Sequence, residues 1–258
     1  MSIPHLFIDF GQVGSKIITI DDADDVRHLQ GSLRARPGDI TYISDNRNNR
    51  YTTVIKSIDR KKAIFEVLGR KAIKKIIPQI TLFQCILKKN AMKFAIQKTT
   101  EMGVSGIIPV TSKRTVSNIS GKGEKIQKWQ KISDEASKQS KRDFKCCIEK
   151  SIGLEEIDTG RFAYFFFPYE EAENGLEGMT CYLKDLSNVR SAAYLIGPEG
   201  GLTPEEAGLL KQKGALEVNL GKNILRAETA SIYFFSVMDL YIKLSGRPLK
   251  RSENNQTG

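Results

Sequence analysis

Leu195-Ile196-Gly197-Pro198-Glu199-Gly200-Gly201-Leu202-Thr203 runs from an apolar strand end through three glycines into Thr203-Pro204-Glu205-Glu206. There Thr203 is placed to cap a helix, Pro204 to take its first position and Glu206 to complete a capping box. The pattern repeats downstream. Residues 216–220 read as a strand, Gly221-Lys222-Asn223-Ile224-Leu225 as a loop, and 226–244 as a long helix. Upstream, residues 80–87 are strand-like. Residues 90–102 place Met92, Ala95, Ile96 and Thr99 on one helical face, stopped by Gly103. Residues 107–110, 162–167 and 192–196 are further apolar strands. Strands alternating with helices predict a parallel sheet covered on both faces, with ligands held beyond the carboxyl ends of its strands.

Two glycine loops therefore lie where a ligand would bind, and their chemistry limits what it can be. Neither is a GxGxxG turn, and neither carries the GK[ST] of a phosphate-cradling loop. Glu199 sits inside the first loop and Glu205-Glu206 follow it, carboxylates that would repel a pyrophosphate at the helix N-terminus. A neutral or cationic ligand is favoured, and S-adenosylmethionine, with a sulfonium and no phosphate, satisfies the constraint. The residues alone leave open that the glycines only make tight turns.

Outward toward the N-terminus the pattern changes. Short β-branched segments at 17–20, 40–43, 51–55 and 63–68 alternate with turn clusters such as Arg36-Pro37-Gly38-Asp39 and Asp45-Asn46-Arg47-Asn48-Asn49. One short helix starts near Asp22 and runs through Val26, Leu29 and Leu33. This is a small, mostly antiparallel β-barrel without evident chemistry of its own, a binding module.

Over the 258 residues, 40% hydrophobic and 27% charged residues exclude wholesale disorder, and the net charge is +10. That excess has an address. Residues 111–145 hold ten basic residues against four acidic ones, six of the ten net charges. Trp129, Ile132, Ala136 and Ser140 recur there at helical spacing, giving an amphipathic helix with a lysine-rich outer side, the footprint of a nucleic-acid binder or simply a solvated face. No apolar stretch reaches the ~20 residues of a membrane span, and no signal peptide is readable, so the expected location is cytoplasmic. Cys85, Cys181 and the adjacent Cys146-Cys147, with only two histidines, argue against a structural metal site and for small buried thiols.

The two glycine loops, extended through Arg226-Ala227-Glu228-Thr229-Ala230, resemble the paired signature motifs of the SPOUT-superfamily bacterial 16S ribosomal RNA uridine-N3 methyltransferases. Lys98-Thr99-Thr100-Glu101-Met102-Gly103-Val104, Ser112-Lys113-Arg114 and Trp129…Glu135-Ala136…Gln139-Ser140…Arg142 agree with that family. His28-Leu29…Leu33-Arg34 and Gly38-Asp39 are similar to its PUA-like RNA-binding domain. The resemblance spans nearly the whole chain. It implies an α/β fold with a trefoil-knotted SPOUT methyltransferase domain at 73–248, after a PUA-like β-barrel at 1–72 and before a flexible tail at 249–258. It also implies a homodimer acting on 16S rRNA or the small ribosomal subunit.

By the same resemblance, S-adenosyl-L-methionine would be held by Leu195, Ile196, Gly197, Pro198, Glu199, Gly200, Gly201, Leu220, Gly221, Asn223, Ile224, Leu225 and Ala230. RNA would be held by Arg34, Arg47, Arg50, Lys113, Arg114, Lys138 and Arg142. Arg226, Glu228 and Arg114 are the catalytic candidates. N3 of uridine must lose its proton before or as it attacks a methyl carbon, so a cation near the flanking carbonyls and a proton acceptor are needed. Asn223 stands where the family usually has arginine, and Ala227 where it has threonine. An inactive RNA-binding or ribosome-assembly factor on the same fold is the alternative, and a dinucleotide-dependent oxidoreductase is opposed by Glu199. A simpler reading has Arg226 paired with Glu228 at the head of the last helix.

Overall fold

The structure, a computed structural model, describes residues 3–8, 16–115 and 122–245. The described residues form two compact units, one drawn from 1–76, 96–106 and 120–149, the other from 77–95, 107–119 and 150–258.

In the first unit, β1 (His5–Phe7), β2 (Ile17–Ile20), β3 (Ile40–Ser44), β4 (Asn49–Ile58) and β5 (Ala63–Ala72) make one sheet in the order β1-β3-β4-β5-β2. Only the β1–β3 pair is parallel. Alternate residues point inward, so Ile18, Ile20, Ile43, Ile55 and Phe65 build its core with Leu6 and Leu29. The short helix begins where the sequence placed it. The Asp22 carboxylate accepts the N–H groups of Asp24 and Asp25 and caps α1 (Ala23–Arg27), which continues as a π-helical turn over His28–Ser32. In the turn before β4, Asn46 takes the left-handed φ of 55° that glycine would otherwise supply, and Asp45 Oδ1 accepts the N–H groups of Arg47, Asn48 and Asn49.

The chain continues through β6 (Gln79–Cys85), α2 (Lys89–Met102), β7 (Gly106–Thr111), α3 (Lys122–Gln139), β8 (Cys147–Ile148), β9 (Ile152–Gly153) and β10 (Tyr164–Pro168). It ends with α4 (Thr180–Asp185), β11 (Ser191–Ile196), α5 (Pro204–Gln212), β12 (Leu216–Val218) and α6 (Ala227–Ser245). β5 ends at residue 72, where a boundary is expected, and the first stretch of the first unit runs on to residue 76. The basic helix α3, expected with the C-terminal domain, groups instead with the N-terminal sheet. Partners distant in sequence explain this: Lys131 Nζ donates to Asp24 at 2.8 Å, Lys138 pairs with Asp25, and Lys145 N–H donates to Asn46 Oδ1 at 2.8 Å. The expected tail at 249–258 lies outside the described residues.

The second unit is the parallel sheet, ordered β12-β10-β11-β6-β7, with the β12–β10, β10–β11 and β11–β6 pairs all parallel. Its strands are apolar on both faces because both are covered. Phe83, Phe165, Phe167 and Leu195 share a cluster with Ala207 and Leu210 of α5. Phe166 and Tyr194 meet Phe234 of α6 with ring centroids 5.7 and 5.6 Å away. Two of the four thiols depart from expectation: Cys85 and Cys146 are buried, but Cys147 and Cys181 are exposed. Burial pushes the Cys85 thiol up to about 12. Among the described residues no helix is long and apolar enough to cross a membrane.

Candidate active site

Because β6, β10, β11 and β12 run parallel, their carboxyl ends face one side, and the four segments that leave them enclose a cavity of about 1210 Å³. Lys88 and Lys89 come from the end of β6, Tyr169–Glu171 from β10, the first glycine loop from β11 and the second from β12, with Arg226, Glu228 and Ala230 from the head of α6. Of the residues expected to hold the cofactor, all but Leu195 and Gly200 line it. Leu195 is still inside β11, fully buried in the core. Gly200 lies under Arg114, whose Nη1 donates to the Gly200 carbonyl at 2.8 Å.

The first loop is tied down at three points. Glu199 Oε1 accepts the Lys88 N–H at 2.7 Å, where the Lys88 carbonyl begins the α2 ladder by accepting Met92 N–H. The carboxylate expected to face the ligand thus also satisfies a free amide at a positive helix end. Arg114 holds Gly200, and Gly201 turns with a φ of 71°. Beyond it the capping box is as the sequence placed it: Thr203 Oγ1 accepts Glu206 N–H at 3.3 Å and Glu206 Oε2 accepts Thr203 N–H at 2.9 Å. The second oxygen of Glu206 accepts Lys113 N–H at 2.7 Å, so this buried carboxylate serves two segments.

The second loop leaves β12 at Asn219 and turns at Gly221 with a φ of 117°, a left-handed conformation that side chains rarely adopt. Asn223 and Ile224 are exposed on the rim, and Leu225 is half-buried. The head of α6 is anchored from below. Ser231 Oγ lies 2.5 Å from Gln84 Oε1 and 2.9 Å from the Ala227 carbonyl, and Tyr194 OH donates to the Ser231 carbonyl at 3.0 Å. Ala227 is 8% exposed, its methyl group taking the place of the family's usual threonine at the first position of α6.

The catalytic candidates separate. Arg226 is exposed on the cavity wall and Glu228 half-buried beside it, but among the described residues Arg226 has no ion-pair partner, so the pairing with Glu228 is not formed. Arg114 is spent on the Gly200 carbonyl and does not line the cavity. Sequence reasoning missed Lys88, Tyr169, Glu170, Glu171 and Asn219. Tyr169 OH donates to Glu171 Oε2 at 2.8 Å, a bond that with desolvation pushes the phenol up to about 12. No local pattern marks these residues; Tyr169, Glu170, Glu171 and Asn219 reach the cavity because β10 pairs with both β11 and β12, and Lys88 because β6 pairs with β11.

The residues expected to bind RNA fall in both units. Arg34 and Arg47 are exposed, while Arg50 donates to Asp143 at 2.9 Å and lies over the Tyr42 ring. Arg142 is turned inward, donating to the carbonyls of Thr100 at 2.6 Å and Phe144 at 3.2 Å. Lys138 is only 14% exposed in its pair with Asp25. In the other unit Lys113 is exposed beside Glu205.

The RNA methyltransferase domain family matches residues 75–239, and its RNA methyltransferase PUA domain matches residues 20–68. A ribosomal RNA small subunit methyltransferase E from Mesomycoplasma hyopneumoniae is 32% identical over 161 residues, 61% of this chain and 68% of its own. Its counterpart from Mycobacterium bovis is 26% identical over 226 residues, 83% of each chain. A crystal structure of a ribosomal RNA small subunit methyltransferase E from Neisseria gonorrhoeae, bound to S-adenosyl methionine, superposes with a TM-score of 0.81 at 25% identity, covering 93% of this chain and 98% of that one. With the methyltransferase match extending over more than half of its length, this chain belongs to the RNA methyltransferase domain family, with the small-subunit ribosomal RNA methyltransferases E among its relatives.

Proposed function

We propose that the protein transfers a methyl group from S-adenosylmethionine to N3 of a uridine in small-subunit ribosomal RNA. The observation that carries this is the cavity at the four strand ends, walled by the two glycine loops and carrying the Arg226 guanidinium, which has no ion-pair partner among the described residues. Its lining fits the cofactor. Backbone of Gly197, Gly201 and Gly221, apolar Leu202, Leu225 and Ala230, and carboxylates of Glu170, Glu171 and Glu228 suit an adenosine joined to a cationic sulfonium. When bound, the cofactor supplies an electrophilic methyl group. The residues of this chain must then position the base, take its N3 proton and offset the negative charge on its carbonyl oxygens. In this reading Arg226 offsets the charge and Glu228 takes the proton. Arg114 acts at one remove, by fixing Gly200.

RNA would be gripped through the exposed Arg34, Arg47 and Lys113; Lys138 and Arg142 contribute to the fold instead. The molecule works as a homodimer in this proposal. On α6, Tyr233, Leu240 and Leu244 are 40%, 54% and 57% exposed and lie on one helical face, an apolar stripe suited to a second copy. The knotted path implied by the resemblance and a cytoplasmic location belong to the same proposal. Mass spectrometry of nucleosides from 16S rRNA incubated with the protein and S-adenosylmethionine tests it. N3-methyluridine is expected. Cofactor binding without any methylated nucleoside would leave the inactive RNA-binding factor as the function.

A further inference from the structure

We infer that Asn219 is a positioning residue whose side chain sets the second glycine loop against the cavity. This inference rests on the cavity being the cofactor site. Asn219 follows the last residue of β12 and is half-buried. Its Oδ1 accepts the Gly221 N–H at 2.9 Å, and its Nδ2 donates to the carbonyls of Glu170 at 2.9 Å and Ala172 at 3.3 Å. Its own N–H donates to the Asn174 carbonyl at 2.7 Å. One carboxamide thus spans two of the four segments around the cavity, the one leaving β10 and the one leaving β12.

The chemistry of the side chain explains why it can do both. A carboxamide offers an acceptor and two N–H donors in one plane. The acceptor closes a turn onto the amide two residues on, the local bond that carries the chain into the left-handed φ of 117° at Gly221. The donors fix the turn to carbonyls that strand pairing leaves free, since β10 ends at Pro168. Serine would be too short to span both. Aspartate keeps the acceptor but, ionised, sets a negative oxygen against two carbonyl oxygens. Tyr169 and Glu170, on the cavity wall, share the segment that Asn219 holds.

Calorimetric titration of the full chain with S-adenosylmethionine tests the inference. Loss of two or three hydrogen bonds at the loop should weaken cofactor binding by roughly tenfold or more in Asn219→Ala. Asn219→Asp supplies the readout that lost packing alone would not move. Relative to the unmodified protein, its affinity should be low at pH 8 and recover in part toward pH 5, because the two carbonyl oxygens facing the introduced carboxyl raise its pKa and favour the protonated form that can donate to Glu170 O. Both variants binding within about twofold of the unmodified protein at both pH values would overturn the inference, the loss expected being a factor of ten. If Asn219→Ala does not fold, a pH-independent affinity in Asn219→Asp overturns it alone. If the unmodified protein itself does not bind S-adenosylmethionine, the assignment of the cavity fails, and that result is distinct from either.

Discussion

Burial drives the pKa of the His5 imidazole from 6.5 down to about 4, with Asp143 opposing the shift and Arg50 and Lys141 adding to it. His5 is 4% exposed, its Nε2 2.9 Å from Ser44 Oγ and its ring stacked on Phe7. A base whose folded pKa is depressed resists the proton that the unfolded chain accepts. Its contribution to stability is complete above about pH 6.5 and is lost as the pH falls from there toward 4, by up to about 3 kcal/mol. The urea midpoint should drop across that window, and His5→Phe should flatten the drop; an unchanged slope in the variant would assign it to another group. Arg226 is the opposite kind of residue, exposed and without an ion-pair partner among the described residues. Arg226→Ala should therefore change stability by less than about 0.5 kcal/mol while lowering the single-turnover rate by ~10²–10³. Arg226→Lys should restore part of the rate, because an ammonium lacks the planar fork. A normal rate in Arg226→Ala, measured on samples of known melting temperature, would remove its catalytic role.

The head of α5 concentrates its stability in two side chains. Thr203→Ala removes one cap bond and should cost about 1 kcal/mol in chemical denaturation. Glu206→Ala leaves the N–H groups of both Thr203 and Lys113 without their acceptor in a buried setting and should cost more, roughly 2–4 kcal/mol. Equal losses would mean that the bond to Lys113 contributes nothing. This helix was legible in the sequence because a capping box is local: Thr203, Pro204 and Glu206 are within one turn. For the same reason the strand–loop–helix units and the glycine loops stood out. What is not local was not legible. The strand β1 is three residues long and is held by pairing with β3, nearly forty positions away. Asn219 and Tyr169 approach the cavity only because β10 and β12 are neighbours. The lysines of α3 read as the footprint of a nucleic-acid binder or as a solvated face, yet Asp24 and Asp25, which engage Lys131 and Lys138, lie more than one hundred residues upstream.

At the scale of the whole molecule, charge and apolar surface make separate claims on partners. The stripe on α6 predicts self-association: Leu240→Glu should shift the protein to monomers in sedimentation, and an unaltered mass would place any dimer contact elsewhere. The charge is less available than its total suggests. Of the ten basic residues between 111 and 145, Lys113, Lys128, Lys131, Lys138 and Lys145 face carboxylates within 4 Å, and Arg142 is bound to carbonyls. Each phosphate contact with RNA should contribute about −0.7 to −0.9 to the log–log slope of affinity against salt. Two variants then separate structure from recognition. Arg34 is exposed, and its backbone holds a φ of 50° without help from the side chain, so Arg34→Ala should leave stability unchanged and reduce the slope by about one contact. Lys138→Ala leaves Asp25 unpaired in a site 14% exposed and should lower stability by roughly 3 kcal/mol, with the salt slope of the folded protein unchanged. The reverse pattern, a shallower slope in Lys138→Ala at full stability, would show that the Asp25 pair opens to RNA and that the basic helix, not the N-terminal sheet, carries the contact.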